Sequence, residues 1–112
     1  MNRPMKYDPD ADAMYVRLSS RKAWESLEIN QNLNLDLDQN KRLVGVELLD
    51  VSKFVSALFG HQINMSRIRD LKVEVRSKDG REVILDIFFE GEKVRYAIPR
   101  AYTSPLVDGN AQ

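Results

Sequence analysis

Leu27-Glu28-Ile29-Asn30-Gln31-Asn32-Leu33-Asn34-Leu35-Asp36-Leu37-Asp38 decides the fold. Leu27, Ile29, Leu33, Leu35 and Leu37 fall on odd positions, with polar or acidic residues on the even ones. A period of two predicts a β-strand with one face buried and one in water. Gln31 interrupts the apolar row at its midpoint, where a bend or bulge would divide the strand into two pieces. Downstream, Asp38-Gln39-Asn40-Lys41-Arg42 is a polar turn. It returns the chain into Leu43 to Leu49, where Val44, Val46 and Leu48 share a side, so the two stretches form a hairpin.

Upstream, Met5 to Asp8 and Met14 to Ser19 form another hairpin around Pro9 to Asp12. Met14, Val16 and Leu18 share one face, and Tyr15, Arg17 and Ser19 the other. After Leu49, Asp50 or Ser52 can cap a short helix carrying Phe54, Val55, Leu58 and Phe59 on one face and stopping at Gly60. From Leu71 the strand pattern returns as Leu71 to Arg76, Glu82 to Phe89 and Lys93 to Ile98. These are joined at Asp79-Gly80 and Glu90-Gly91 and ended by Pro99. In the central strand Val83, Leu85, Ile87 and Phe89 face one way and Ile84, Asp86 and Phe88 the other, which predicts cover on both sides.

Two hairpins, one helix and a meander contain no strand-helix-strand alternation. The expected class is α+β: an antiparallel sheet of about seven strands, open or closed into a flattened barrel, with the helix across it. Residues 1–103 are expected to form one domain and 104–112 a flexible tail.

The composition supports one core in a chain of 112 residues. Lys plus Arg and Asp plus Glu number 17 each and alternate along the chain, which argues against broad attraction to phosphate backbones. Only a local gathering of Arg67, Arg69, Lys72 and Arg76 would provide a nucleic-acid patch. With no cysteine, disulfides, thiolate nucleophiles and Cys-based zinc sites are excluded. No apolar run approaches membrane-helix length and Met1 to Pro4 lacks a signal peptide's apolar segment, so the expected location is cytoplasmic.

No residue pattern demands a cofactor or a metal. Asp8, Asp10 and Asp12 fail the calcium-loop pattern at Ala13 and Ser19, and read as an Asp-Pro turn bonded to its own backbone. The acidic turn beginning at Asp36 fails at Lys41, where glycine is required, and places Asp36 and Asp38 on a solvent face. His61, the single histidine, lacks a recognisable catalytic partner and suits a helix end. The glycines are isolated, so no phosphate loop is present. Asp86 has apolar neighbours, which would raise its pKa if it were buried alone; Arg95 across the hairpin is its expected structural partner. Asp36, Glu47 and Asp86 are the carboxylates a sheet-helix cleft could employ. Among aromatics, Trp24 at a loop boundary is the expected contact anchor, with Tyr15, Arg17, Arg67 and Arg69 as further partner-binding candidates.

Tyr7-Asp8-Pro9-Asp10-Ala11-Asp12-Ala13-Met14-Tyr15-Val16-Arg17-Leu18 and Leu43-Val44-Gly45-Val46-Glu47-Leu48-Leu49-Asp50 carry a resemblance. They resemble a family of short prokaryotic proteins catalogued as domain of unknown function 2283, over about residues 6–54. Tyr7, Asp8, Asp12, Tyr15, Arg17, Gly45 and Glu47 match its pattern. Gly45 would permit close backbone approach, and Arg17 would pair with a carboxylate on the adjacent strand. Small proteins of this type are sometimes encoded beside toxin-like proteins, so the resemblance implies an antitoxin-like role as one form of protein binding. It supplies no catalytic residues. The expected function is a non-enzymatic protein-binding or self-associating module, with a carboxylate-based ligand site or enzyme and a nucleic-acid binder as alternatives.

Overall fold

The structure, a computed structural model, describes residues 5–78 and 82–98. Eight strands, Met5–Asp8 (β1), Ala13–Arg17 (β2), Glu25–Asn30 (β3), Leu33–Leu37 (β4), Leu43–Leu49 (β5), Lys72–Lys78 (β6), Glu82–Phe89 (β7) and Glu92–Ile98 (β8), surround one α-helix, Val51–Phe59 (α1). A short 3-10 helix, Met65–Asp70, leads from α1 towards β6. The class is α+β, as the alternation predicts.

All pairings are antiparallel, but the strands lie in two open sheets, β1-β2-β5-β4-β3 and β6-β7-β8. No closed barrel forms among the described residues. The inner rows instead bury one another and α1: Met14, Val16, Leu33, Leu35, Val46 and Leu48 share one apolar cluster with Phe54, Val55, Val75, Leu85, Ile87 and Ile98. Burying such side chains contributes about 1.5–3 kcal/mol each, an upper value against an extended unfolded chain. Edge-to-face packing of Phe54 on Tyr96, with ring centroids 5.3 Å apart, ties the helix to β8. Asn30 Nδ2 donates to Tyr96 Oη at 3.1 Å, tying β3 to the smaller sheet.

The break at Gln31 is a full reversal. Asn30 pairs with Leu33 across a tight turn in which Asn30 Oδ1 accepts the Asn32 backbone N–H at 2.7 Å. This reversal makes the expected long strand into β3 and β4 and raises the strand number to eight. The β7–β8 turn uses Glu90 at φ 48° and Gly91 at φ 82°, the two positive angles required by a two-residue primed hairpin. The Asp79-Gly80 turn, Pro99, Tyr102 and the 104–112 tail lie outside the described residues.

Helix α1 begins differently from the sequence reading. Asp50 occupies the N-cap at φ 50° but makes no side-chain cap, and Ser52 lies inside the helix. The capping carboxylate belongs to Asp12, in the β1–β2 turn. Its oxygens accept the Ser52 backbone N–H at 3.2 and 3.3 Å and Ser52 Oγ–H at 2.7 Å, while its carbonyl accepts the Val51 N–H at 3.0 Å. Gly60 closes the helix at φ 78°, as expected.

Candidate functional site

The outer face of the five-stranded sheet carries a hydrogen-bonded polar network. Tyr15 Oη donates to Asp36 Oδ2 at 2.9 Å, and Ser26 Oγ donates to the other oxygen of Asp36. Asn34 Nδ2 donates to Glu47 at 3.0 Å. The register explains the convergence: Glu47 stands between Tyr15 and Asn34, and Asp36 between Ser26 and Gly45. Burial and then the bond to Asp36 push the Tyr15 hydroxyl up to about 12. Gly45 has a steric purpose, since a Cβ there would lie 2.1 Å from Tyr15 Oη and 2.4 Å from the ring carbon bearing it. The close approach expected at Gly45 is therefore that of the Tyr15 ring.

Arg17 does not make the expected cross-strand ion pair. It lies 5.7 Å from the Tyr15 ring centroid and donates to the Ser19 carbonyl at 3.1 Å, because Gly45 offers no carboxylate at the opposed position. Asp38, expected on a solvent face with Asp36, is instead buried, at 5% exposed. The register shift between Asp36 and Leu37 turns it into the β4–β5 loop. There it accepts the backbone N–H groups of Asn40 at 2.8 Å and Arg42 at 2.9 Å, with Arg21 and Arg42 side chains on its other oxygen. Those donors, the Arg42 N–H first, hold its pKa down at about 2.

Asp86 is 4% exposed on the outer face of the smaller sheet. Arg95 Nε donates to it at 2.8 Å and Arg76 at 3.2 Å, so Arg95 is the partner the sequence predicts. Its pKa is lowered, chiefly by that Arg95 bond, instead of raised as for a solitary buried carboxylate. Beside it, Lys72 and Lys93 lie 5.9 and 5.7 Å from the Phe88 ring centroid.

Arg67 bonds Asp70 and Glu90 and lies 5.5 Å from the Phe89 ring, while Lys72 pairs with Glu74. With Arg76 on Asp86, the four basic residues Arg67, Arg69, Lys72 and Arg76 do not make an uncompensated patch. Arg69 instead lines a shallow depression of about 310 Å³ with Tyr7, Pro9, Met65 and Ser66. His61 follows the helix end and faces Glu92 at 3.1 Å, which raises its pKa. Asp8 Oδ1 accepts the Asp10 backbone N–H at 3.0 Å, the self-bonded turn expected there. No cluster of potential metal ligands occurs among the described residues. Glu47 borders an open depression of about 520 Å³ beside β1, lined also by Lys6, Tyr7 and Tyr15.

The larger sheet ends at β3. Trp24, immediately before it, is 64% exposed while its backbone N–H is fixed to the Leu37 carbonyl at 2.7 Å. Leu27 and Ile29 on this edge are half-buried, and Ser26 and Glu28 exposed. Lysine or arginine marks the other three edges: Lys6 on β1, Lys72 and Arg76 on β6, Lys93 and Arg95 on β8. Strand β3, Glu-Ser-Leu-Glu-Ile-Asn, has neither. Edge lysines discourage pairing with other chains, so β3 is the edge without a basic guard; Glu25, Glu28 and a register shift between Glu28 and Asn30 are the features it has instead. Trp24 is legible from sequence, but its conjunction with an edge that lacks basic residues is not.

No curated protein and no solved structure matches the chain. No described helix is long and apolar enough to cross a membrane. Residues 5–52 match the family model described as protein of unknown function (DUF2283), a segment that spans all five strands of the larger sheet and ends at Ser52.

Proposed function

We propose that the protein is a non-enzymatic binding module that takes up an extended segment of another polypeptide along β3. The observation that carries this reading is the composition of the edge: β3 lacks the basic residues present on β1, β6 and β8, and Trp24 stands exposed at its start. Backbone groups directed away from β4 supply the hydrogen bonds for an added strand. Leu27 and Ile29 supply apolar contact and Trp24 an aromatic anchor. An antitoxin-like role is the special case in which the added segment belongs to a toxic protein.

Carboxylate chemistry has less support, because Asp86 is neutralised by two arginines and Asp36 is occupied by Tyr15 and Ser26. The experiment is native mass spectrometry of the tagged protein isolated at low salt from its host, followed by hydrogen exchange on the complex. A stoichiometric second polypeptide with new protection over 24–30 is expected. A bare monomer, or a complex whose protection lies elsewhere, would overturn the reading.

A further inference from the structure

Strand addition at β3, the reading on which this inference rests, places alternate residues of the incoming segment on opposite faces. One set lies beside Leu27 and Ile29, towards the core. The other lies beside Ser26 and Glu28, on the outer face.

The outer positions have one sign of charge. Glu28 is exposed and stands opposite Asn34, which stands opposite Glu47; Ser26 stands opposite Asp36. Neither β3 nor β4 contains a lysine or arginine. The outer-face cations Lys6 and Arg17 belong to β1 and β2, across the sheet, and Lys41 in the β4–β5 turn is held by Glu25. An approaching strand therefore meets the Glu28 carboxylate on its outer side, with Asp36 on the strand behind it, and apolar side chains on its inner side.

We propose that β3 accepts a segment of a different protein in which apolar residues alternate with Lys or Arg. A second copy fits less well. Two β3 strands paired antiparallel about their midpoints would bring their Glu28 side chains into directly opposed or diagonal positions, with no cation on either strand. Like charges so placed oppose pairing, whereas a lysine there attracts. The basic positions select the partner and the apolar positions and backbone hold it.

The test uses the full chain and three short, end-capped peptides alternating valine with lysine, with glutamate or with threonine. Trp24, the single tryptophan, reports binding by fluorescence, and hydrogen exchange reports the location. The lysine peptide is expected to bind roughly fivefold or more tightly than the glutamate peptide, with protection over 24–30. That preference should shrink in high salt. Glu28→Lys should reverse it, and Glu28→Gln should reduce it. Equal binding of all three peptides at β3 would overturn the charge selection while leaving strand addition intact. Absence of protection at β3 with every peptide would overturn both. Protection at β3 that grows with protein concentration alone would overturn the assignment to a different protein.

Discussion

Asp12 caps helix α1 at Ser52, a residue 40 positions away, and Tyr7 holds the same carboxylate through a 2.6 Å hydrogen bond. The β1–β2 turn is thus the N-terminal cap of a helix that lies beyond four further strands. Asp12→Ala should cost about 1–2 kcal/mol, the usual value of a lost cap, and Tyr7→Phe about 1 kcal/mol. Urea denaturation of both variants and their double mutant checks this, and a non-additive double mutant is expected because the two residues share one network.

Gly45→Ala should destabilise by about 1–3 kcal/mol, since the added methyl overlaps the Tyr15 ring and that ring is anchored to Asp36. Tyr15→Phe should retain the penalty because the ring remains. Tyr15→Ala should largely remove it. A double-mutant cycle by thermal denaturation separates these cases; an equal penalty in all three backgrounds would mean that the ring is not the obstacle.

Acid and base should weaken the fold for opposite reasons. Asp38 falls from an ordinary 3.8 to about 2, so its contribution is complete above pH 3.8 and is lost as pH drops through 2; the lowered Asp86 acts in the same direction. Tyr7 and Tyr15 rise from 10.0 to about 12, so their contributions are complete below pH 10 and are lost as pH climbs through 12. Urea midpoints measured against pH should show both declines. Asp38→Asn should flatten the acid limb, and Tyr15→Phe the alkaline one.

Trp24→Ala should change stability by less than about 0.5 kcal/mol, because the ring is mostly in solvent. The same substitution should weaken capture of a β3 partner several-fold. Comparing denaturation with peptide binding checks the separation. A large stability loss would place the ring in the fold instead of at an interface.

The alternation of Leu33, Leu35 and Leu37 against Val44, Val46 and Leu48 made the central hairpin legible, because a period of two is written locally. Asp86 with Arg95 was legible for the same reason: a two-residue turn fixes which residues oppose each other. Asp12 on Ser52 and Tyr15 over Gly45 depend on the order β2-β5-β4, which local periodicity does not contain. Asp38 read as a solvent residue because the register shift after Asp36, which turns it inward, has no residue signature of its own. Of the candidate site, Trp24 could be named, whereas the lack of basic residues on β3 acquires meaning only once β3 is known to be an edge.

The segment ending at Ser52 contains a complete five-stranded sheet but less than half of the buried apolar cluster. Met14, Val16, Leu33, Leu35, Val46 and Leu48 meet their counterparts on the meander, 20 or more residues farther along the chain. Any polypeptide built from that sheet alone must find a substitute roof, from an extra helix or from a twin molecule laid against it. The three C-terminal strands act here as a built-in replacement for such a companion, which leaves the protein's edges, instead of its greasy interior, available for company.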